Sequence, residues 1–297
     1  MKFALCCVAG KENLYIREWV EHHIRVGFDK IVIYTTIPEE NPRSVLFDYE
    51  IKGIVDIIPW YIQIPEGRLF EEVVQDAAYN DCLERYKESY NWMAFFDVDE
   101  FLEVTYGDIH IWFESMPVYS QFDAITVNWY TMNADGKLYY EDKPLYERFT
   151  CHNNAKLLYY KPHPNRDDTT RDCYFKSIVN TKTPHRFSVD AHMGNPHKLY
   201  GNCVINDKFQ LQMCTNDGCS INGPLLYTLP DYNHDHAKLK HFETKSLTEY
   251  IDRKLGNNGW GSRYDREFIK RRFAEINEWT PEHDFVLDIY IDTLKNK

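Results

Sequence analysis

Two acidic residues that lie close together are the side chains best suited to chemistry. Asp97 and Asp99 follow an apolar run at residues 92–96. On an extended segment, Asp97 and Asp99 would point to the same side, roughly 7 Å apart. Hard divalent cations prefer carboxylate oxygens and keep coordination positions open for phosphate oxygens. The pair therefore predicts a site where Mn²⁺ or Mg²⁺ holds a diphosphate.

The same pair leaves two alternatives open. An Asp-x-Asp pair also occurs in ordinary surface turns, where both acids are simply solvated. Two carboxylates about 5 Å or more apart can also act as acid and base in glycoside hydrolysis, and this spacing permits that distance. The residue types alone do not decide between these interpretations.

The elements predicted around the acidic pair alternate between strand and helix. Apolar runs predict strands at residues 3–9, 30–34, 55–58 and 92–98. Apolar residues at helical spacing predict helices at 12–26, 45–52 and 71–86, the first ending at Gly27. This alternation is typical of a parallel sheet, whose ligands bind beyond the carboxyl ends of the strands. Asp97 and Asp99 lie at such an end.

Beyond residue 101 the pattern is less regular. Short strands are predicted at 124–129, 137–140 and 175–180, and a long loop at 153–172. Helices are predicted at 246–255, 265–278 and 281–294. Ser246 and Glu249 form a capping box at the start of the first of these.

Composition excludes some partners. The 34 Lys and Arg against 46 Asp and Glu give a formal charge of -12, which repels nucleic acid.

Aromatic residues make up 15% of the chain, which suits a carbohydrate site, although core packing can also account for them. The first apolar run is far shorter than the ~20 residues of a membrane span. The eight cysteines are scattered without a C-x-x-C pair. We therefore expect a soluble chain in the cytoplasm.

A set of motifs follows one consistent order along residues 3–280, namely 12–23, Gly27, Asp29, Gln75, 78–80, 92–102, Trp129, Gly136, 144–149, 176–179, 241–246, 249–250 and Lys254. In this order the chain resembles glycosyltransferase family 92 and the family 2-like bacterial capsule and lipopolysaccharide enzymes, which have the GT-A fold. The chain departs from the family at Gly10-Lys11-Glu12 and at Thr35-Thr36, which would face the nucleotide base.

The resemblance implies an α/β GT-A fold, mainly parallel and flanked by helices. It implies a glycosyltransferase domain at 1–245, with a nucleotide-sugar half at about 1–104 and an acceptor half at about 105–245. A helical extension at 246–297 would complete the chain.

The resemblance also implies a metal site for Mn²⁺ or Mg²⁺. Asp99 would bind the cation directly, Asp97 would contact it through water or contact the ribose, and His241 would be the third protein ligand. His234 and His236 are rivals for the last role, and a packed structural histidine is the plain alternative. The donor, preferably a UDP-sugar, would contact the residues Ala9, Glu12, Asp97, Lys176 and Lys245. The two lysines would neutralise the departing diphosphate.

The acceptor side is assigned by the same resemblance. Asp135 or Glu147 would take the proton of the acceptor hydroxyl, and Trp129 would form the floor under a sugar ring. Each has a plain alternative: Asp135-Gly136 is also a turn signal, Glu147 stands beside Arg148 and could form an ion pair with it, and a core position suits Trp129 equally.

The resemblance and these residues together imply a metal-dependent hexosyltransferase that acts on a carbohydrate or lipid-linked glycan in surface polysaccharide assembly. The resemblance implies that it inverts the configuration at the anomeric carbon. A lipid-linked acceptor would bring it to the inner face of the membrane. The alternatives are a glycoside hydrolase and a carbohydrate-binding relative without catalysis.

Overall fold

The computed structural model describes most of the chain, namely residues 1–65, 70–154, 170–182, 186–187, 204–205, 213–217, 220–221, 232–255 and 266–295. The chain divides into two compact units. The first comprises Met1–Trp129 and Cys173–Leu239, and the second comprises Tyr130–Asp172 and Lys240–Lys297. This grouping by spatial contact differs from the linear division at residue 245, which as a statement about domains stays a prediction.

The first unit is built on a mixed β-sheet. The described strands are β1 (Phe3–Ala9), β2 (Lys30–Thr35), β3 (Val55–Pro59), β4 (Trp92–Phe95), β5 (Glu100–Val104), β6 (Ala124–Thr131), β7 (Phe175–Asn180), β8 (Arg186–Phe187), β9 (Val204–Ile205), β10 (Met213–Cys214), β11 (Ser220–Ile221) and β12 (Ala237–His241). The strand order is β11-β10-β6-β7-β4-β1-β2-β3, β12 pairs with β5 and β6, and β8 pairs with β9 separately.

The parallel part of the sheet consists of β4, β1, β2 and β3. Cys6 of β1 is in register with Phe95 of β4, and Ala9 of β1 is in register with Thr35 of β2. Every residue of β1 is buried, as its continuous apolar run predicts for a strand covered on both faces. β7 runs antiparallel to both β4 and β6. The predicted α/β class with a mainly parallel, helix-flanked core is confirmed.

Helices connect and cover these strands. They are α1 (Ile16–Val26), α2 (Arg43–Ile51), α3 (Asp76–Tyr86) and α4 (Ile109–Ser115), with a π-helical turn at Glu71–Gln75 before α3. Gly27 ends α1 with a φ of 104°, and its N–H donates to the last turn, so the predicted glycine cap is confirmed. Among the described helices, none is long and apolar enough to cross a membrane.

Two predictions of strands are wrong. β4 ends at Phe95 rather than residue 98, because Glu100 N donates to Asp97 O at 3.0 Å and closes a turn. Residues 137–140 form no strand. Asp135 and Gly136 both have positive φ, and the carbonyl of Lys137 accepts a hydrogen bond from Leu247. That segment therefore meets the start of a helix instead of a β partner.

The second unit is mainly helical. It contains α5 (Leu145–Arg148), α6 (Leu247–Leu255), α7 (Arg266–Ile276) and α8 (Pro281–Lys295). The last three bury a common apolar core, formed by Leu247, Tyr250, Ile251, Ile269, Phe273, Val286 and Leu287. The predicted capping box at α6 is confirmed, since Glu249 Oε2 accepts from Ser246 N at 3.1 Å and from the Ser246 hydroxyl. Residues 155–169 of the loop predicted at 153–172 lie outside the described residues.

Candidate functional site

The carboxyl ends of β1, β2 and β4 meet at one edge of the sheet, because these strands are parallel neighbours. The carbonyl of Ala9 accepts from Thr36 N at 3.0 Å, which ties the ends of β1 and β2 together. Phe96 N donates to Cys6 O at 3.1 Å, which extends the contact of the β4 end with β1. The residues after β4 are therefore held at this edge.

A tight turn of mostly acidic residues lies directly after β4. It is formed by Asp97, Val98, Asp99 and Glu100, and we call it the acidic turn. Asp99 is 2% exposed and Glu100 is fully buried, whereas the Asp97 side chain keeps 30% of its surface accessible. Glu100 Oε2 accepts from Asp97 N at 2.8 Å, so the glutamate braces the turn from inside. Because the segment is a turn, the spacing expected for an extended strand does not apply to Asp97 and Asp99.

Two tryptophans hold Glu100. Trp129 Nε1 on β6 donates to Glu100 Oε1 at 2.7 Å, and Trp19 Nε1 on α1 donates to the Glu100 carbonyl at 2.8 Å. Trp129 is 6% exposed, and its ring lies 5.0 Å from that of Tyr174. The structure thus gives Trp129 a contact inside the first unit, while its predicted role as a floor under a sugar ring stays a prediction.

Histidines on α1 hold the strand that continues from the acidic turn. His22 Nε2 donates to Leu102 O at 2.7 Å, and His23 Nε2 accepts from Leu102 N at 3.2 Å. His23 Nδ1 then donates to Trp19 O at 2.9 Å. Burial lowers the pKa of His23 well below its ordinary value, and His22 beside it lowers the pKa further. The sequence predicted a helix here from its apolar spacing, but it did not indicate that Trp19 and His23 position the acidic turn.

Lys176 brings a buried positive charge to the acidic turn. Its Nζ lies 2.8 Å from Asp97 Oδ2 and 3.6 Å from Glu100 Oε1. Gln75 Nε2 donates to the other Asp97 oxygen at 3.2 Å and to Tyr79 OH at 2.9 Å. Lys176 was predicted as a donor contact, and the structure places it directly on the predicted metal ligand Asp97.

Burial governs the ionisation of Glu100. Burial raises the pKa of Glu100 well above its ordinary value, the charge of Lys176 opposes this, and the charges of Asp97 and Asp99 raise it further. A buried carboxyl among other carboxyls resists ionisation because each added negative charge meets repulsion in a medium of low dielectric. A positive charge placed at the acidic turn would therefore relieve repulsion among its carboxyl groups.

Ala9 and Glu12 lie near the same edge. Ala9 is the buried last residue of β1. The carbonyl of Glu12 accepts from Tyr15 N and Ile16 N at 2.9 and 2.8 Å and so begins the first turn before α1. Burial raises the pKa of the Cys7 thiol, and the charges of Asp97 and Glu12 raise it further.

His241 and Lys245 belong to the second unit. His241 is the last residue of β12, is 5% exposed, and its carbonyl accepts from Met132 N at 3.0 Å. Lys245 is buried in the connection from β12 to α6 and has a φ of 51°. The rivals His234 and His236 lie in the first unit, where His234 Nε2 donates to Trp129 O at 2.7 Å. The roles predicted for these residues stay predictions.

The two candidates for the catalytic base differ in their surroundings. Asp135 Oδ2 accepts from Thr150 N at 2.7 Å and from its hydroxyl at 2.9 Å, and Oδ1 accepts from Cys151 N at 3.1 Å. Glu147 is exposed on α5, and its neighbour Arg148 pairs instead with Glu249 at 2.8 Å. The ion pair considered between Glu147 and Arg148 is therefore replaced by one with α6.

Asp135 also lines a cavity of about 450 Å³ within the second unit. The cavity lies against the connection of α7 to α8, and its lining is formed by Asn133, Ala134, Asp135, Gly136, Leu138, Cys151, Asn277, Glu278, Thr280, Glu282 and His283. Within the described residues, no three His, Cys, Asp or Glu side chains are grouped as a ready-made metal site.

The chain is an α/β protein whose acidic turn lies at the carboxyl edge of parallel strands, the edge at which ligands bind in open α/β sheets. The sequence profile of glycosyltransferase family 92 matches residues 2–204. The chain belongs to glycosyltransferase family 92.

Two curated relatives come from Arabidopsis thaliana. A glycosyltransferase family 92 protein is 28% identical over 105 residues, which cover 34% of this chain and 16% of that protein. The galactan beta-1,4-galactosyltransferase GALS3 is 31% identical over 125 residues, which cover 36% of this chain and 22% of that protein. The matched segments thus span less than a quarter of either relative.

Solved structures with similar parts include TarS of S. aureus. TarS 1-349 has a TM-score of 0.39 at 9% identity over 98% of this chain and 71% of that chain. Its complex with UDP has a TM-score of 0.36 at 13% identity over 61% of this chain and 47% of that chain.

Proposed function

We propose that this chain transfers a hexose from a nucleoside diphosphate sugar, with UDP as the preferred nucleotide, to a hydroxyl of a carbohydrate acceptor. The observation that carries the proposal is the acidic turn at the carboxyl edge of the parallel strands, with Lys176 beside it. Membership of family 92 supports glycosyl transfer, and the galactosyltransferase relative supports a hexose as the group transferred.

The side chains of the acidic turn fit a divalent cation by their chemistry. Asp97 and Asp99 offer carboxylate oxygens, which Mn²⁺ and Mg²⁺ prefer, and the accessible Asp97 can be reached from solvent. We propose these two as protein ligands, with His241 as the third. When bound, the cation would supply positive charge to the oxygens of the departing diphosphate.

The protein itself would stabilise the leaving group with lysines. In the proposed inverting reaction, the acceptor oxygen forms a bond to the anomeric carbon while the bond from that carbon to the diphosphate oxygen breaks. Negative charge then grows on the diphosphate, and a fixed ammonium stabilises it. Lys176, held at the carboxyl edge, and Lys245 of the second unit are proposed for this role. Ala9 and Glu12 would contact the nucleoside.

The acceptor hydroxyl must lose a proton to a protein base. We propose Asp135 or Glu147 for this step. The exposed Glu147 is open to solvent, whereas the Asp135 carboxylate already accepts hydrogen bonds from Thr150 and Cys151. The proposed acceptors are a carbohydrate or a lipid-linked glycan used in surface polysaccharide assembly. The proposed location is the cytoplasm, at the inner face of the membrane for a lipid-linked acceptor.

The first experiment is a thermal-shift screen of the full chain with UDP, GDP, CDP and TDP, each with and without Mn²⁺. A ligand that binds only the folded chain raises its melting temperature by mass action. We expect a shift with one nucleotide that depends on Mn²⁺ and is lost in Asp99→Asn. Asp235→Asn, an exposed aspartate of the same unit, is the matched control and should keep the shift.

A second measurement separates the alternatives. Release of nucleoside diphosphate from a sugar donor, abolished by EDTA, supports the transferase. Cleavage of glycosides that is unaffected by EDTA would support the hydrolase, and sugar binding without either reaction would support a binding protein. Among the base candidates, the variant Asp135→Asn or Glu147→Gln that keeps nucleotide binding but loses turnover identifies the base.

A further inference from the structure

Lys176 forms an ion pair with Asp97, one of the proposed metal ligands. It projects from β7, keeps only 5% of its side-chain surface accessible, and its Nζ lies 2.8 Å from Asp97 Oδ2. The same Nζ lies 3.6 Å from Glu100 Oε1. One oxygen of Asp97 is thus bound to an ammonium, and the other accepts from Gln75.

The pairing favours the ammonium form of Lys176. Its Nζ lies at ion-pair distance from the Asp97 carboxylate, and an opposite charge at this range stabilises the charged form of a lysine. A divalent cation binding to Asp97 alone would meet this positive charge across a single carboxylate. Like charges at such short range repel strongly because little water separates them.

A diphosphate reverses that repulsion. Its oxygens can accept hydrogen bonds from the Lys176 ammonium and, at the same time, ligate the cation. An ammonium held by phosphate oxygens releases a carboxylate oxygen of Asp97. The diphosphate therefore reduces the repulsion between the Lys176 ammonium and the divalent cation.

We propose that Lys176, through its ion pair with Asp97, keeps a divalent cation from binding tightly by itself. A nucleoside diphosphate would accept the hydrogen bonds of the Lys176 ammonium in place of Asp97, so that cation and diphosphate bind tightly only together. We call this ion pair the lysine lock. This inference rests on the proposed function. Lys176 is here a positioning residue that couples the binding of cation and anion, and such coupling is reciprocal by thermodynamic necessity.

The test measures Mn²⁺ binding to the full chain without any donor sugar, by the electron paramagnetic resonance signal of free Mn²⁺. The key variant is Lys176→Met, which removes the charge and keeps the aliphatic stem. The matched control is Lys30→Met. Lys30 is also a buried lysine of the first unit, paired with Asp56 at 2.6 Å on β2 and β3. Lys176→Arg keeps the charge and serves as a second control.

We expect Lys176→Met to bind Mn²⁺ alone at least tenfold more tightly than the unchanged chain, while the Lys30→Met and Lys176→Arg variants do not. UDP should tighten Mn²⁺ binding in both chains, because its oxygens also ligate the cation, but by a larger factor in the unchanged chain than in Lys176→Met. If Lys176→Met does not fold, as judged by circular dichroism, Lys176→Gln replaces it, since its amide can still donate to Asp97.

Equal or weaker Mn²⁺ binding in the neutral variant than in the unchanged chain would overturn the proposed role of the lysine lock. The proposed function fails by a different result, namely that the unchanged chain binds no nucleoside diphosphate with or without Mn²⁺. The Mn²⁺ titration in the absence of nucleotide still reads the effect of Lys176 in that case, so the two failures are distinguishable.

Discussion

Replacing Trp129 by phenylalanine separates the two roles that this side chain could have. The variant keeps an aromatic ring on β6, so a floor under a sugar would survive, but it removes the N–H that donates to Glu100 Oε1 at 2.7 Å. Glu100 is fully buried and braces the acidic turn through Asp97 N. Loss of the Trp129 N–H therefore perturbs the acidic turn, while the variant still offers an aromatic ring to a sugar.

The magnitude depends on the burial of the hydrogen bond. A buried acceptor left without its donor costs about 1–3 kcal/mol, and the smaller ring leaves a cavity that costs about 1 kcal/mol more. We expect the free energy of unfolding to fall by about 2–4 kcal/mol in Trp129→Phe. The matched variant Trp92→Phe loses the same atoms on β4, but its buried indole makes no hydrogen bond to the described residues, so only the cavity cost of about 1 kcal/mol applies.

Urea unfolding followed by far-ultraviolet circular dichroism measures both variants. Trp129→Phe should also lose the stabilisation by nucleotide and Mn²⁺, whereas Trp92→Phe keeps it. The reasoning is refuted if the two variants lose the same free energy of unfolding within about 0.5 kcal/mol, or if Trp129→Phe keeps full nucleotide binding.

Three further predictions concern single contacts. The pKa of His23 is lowered in the folded chain. The unfolded chain therefore binds more protons below about pH 6.5, and stability falls as the pH drops through that range. Urea unfolding from pH 7 to 5 should show this fall in stability, and His23→Gln should make it smaller. Arg148 and Glu249 form a bidentate pair with side chains 1% and 7% exposed. Glu249→Leu should therefore lower the free energy of unfolding by about 3–5 kcal/mol, and adding Arg148→Met should recover part of that loss. Equal losses in the single and double variants would contradict this. Asp135→Ala should lower the free energy of unfolding by about 0.5–1.5 kcal/mol, because the exposed Thr150 loses its acceptor and water replaces it in part. An unchanged melting curve would show that the contact contributes no stability.

The local elements of this chain could be predicted from its sequence because short-range patterns decide them. The apolar run of β1, the glycine that ends α1 and the capping box of Ser246 with Glu249 all depend on neighbours within a few residues. The place of the acidic turn could be predicted by the rule that parallel strands present their carboxyl ends at one edge. Where the prediction extended β4 too far, a backbone hydrogen bond within the turn decided the outcome.

The partners of the acidic residues could not be predicted from the sequence. Lys176 stands 79 positions from Asp97, and Trp129 stands 29 positions from Glu100. Sequence spacing carries no information on such pairs, because strand order and register bring them together: β7 lies beside β4 and β6 only in the folded sheet. The residue types of the turn and its place at the strand end are thus properties of the sequence. The buried Lys176 beside the turn and the two indoles that hold the turn exist only in the tertiary structure, since each lies on an element that is distant in the chain and adjacent in space.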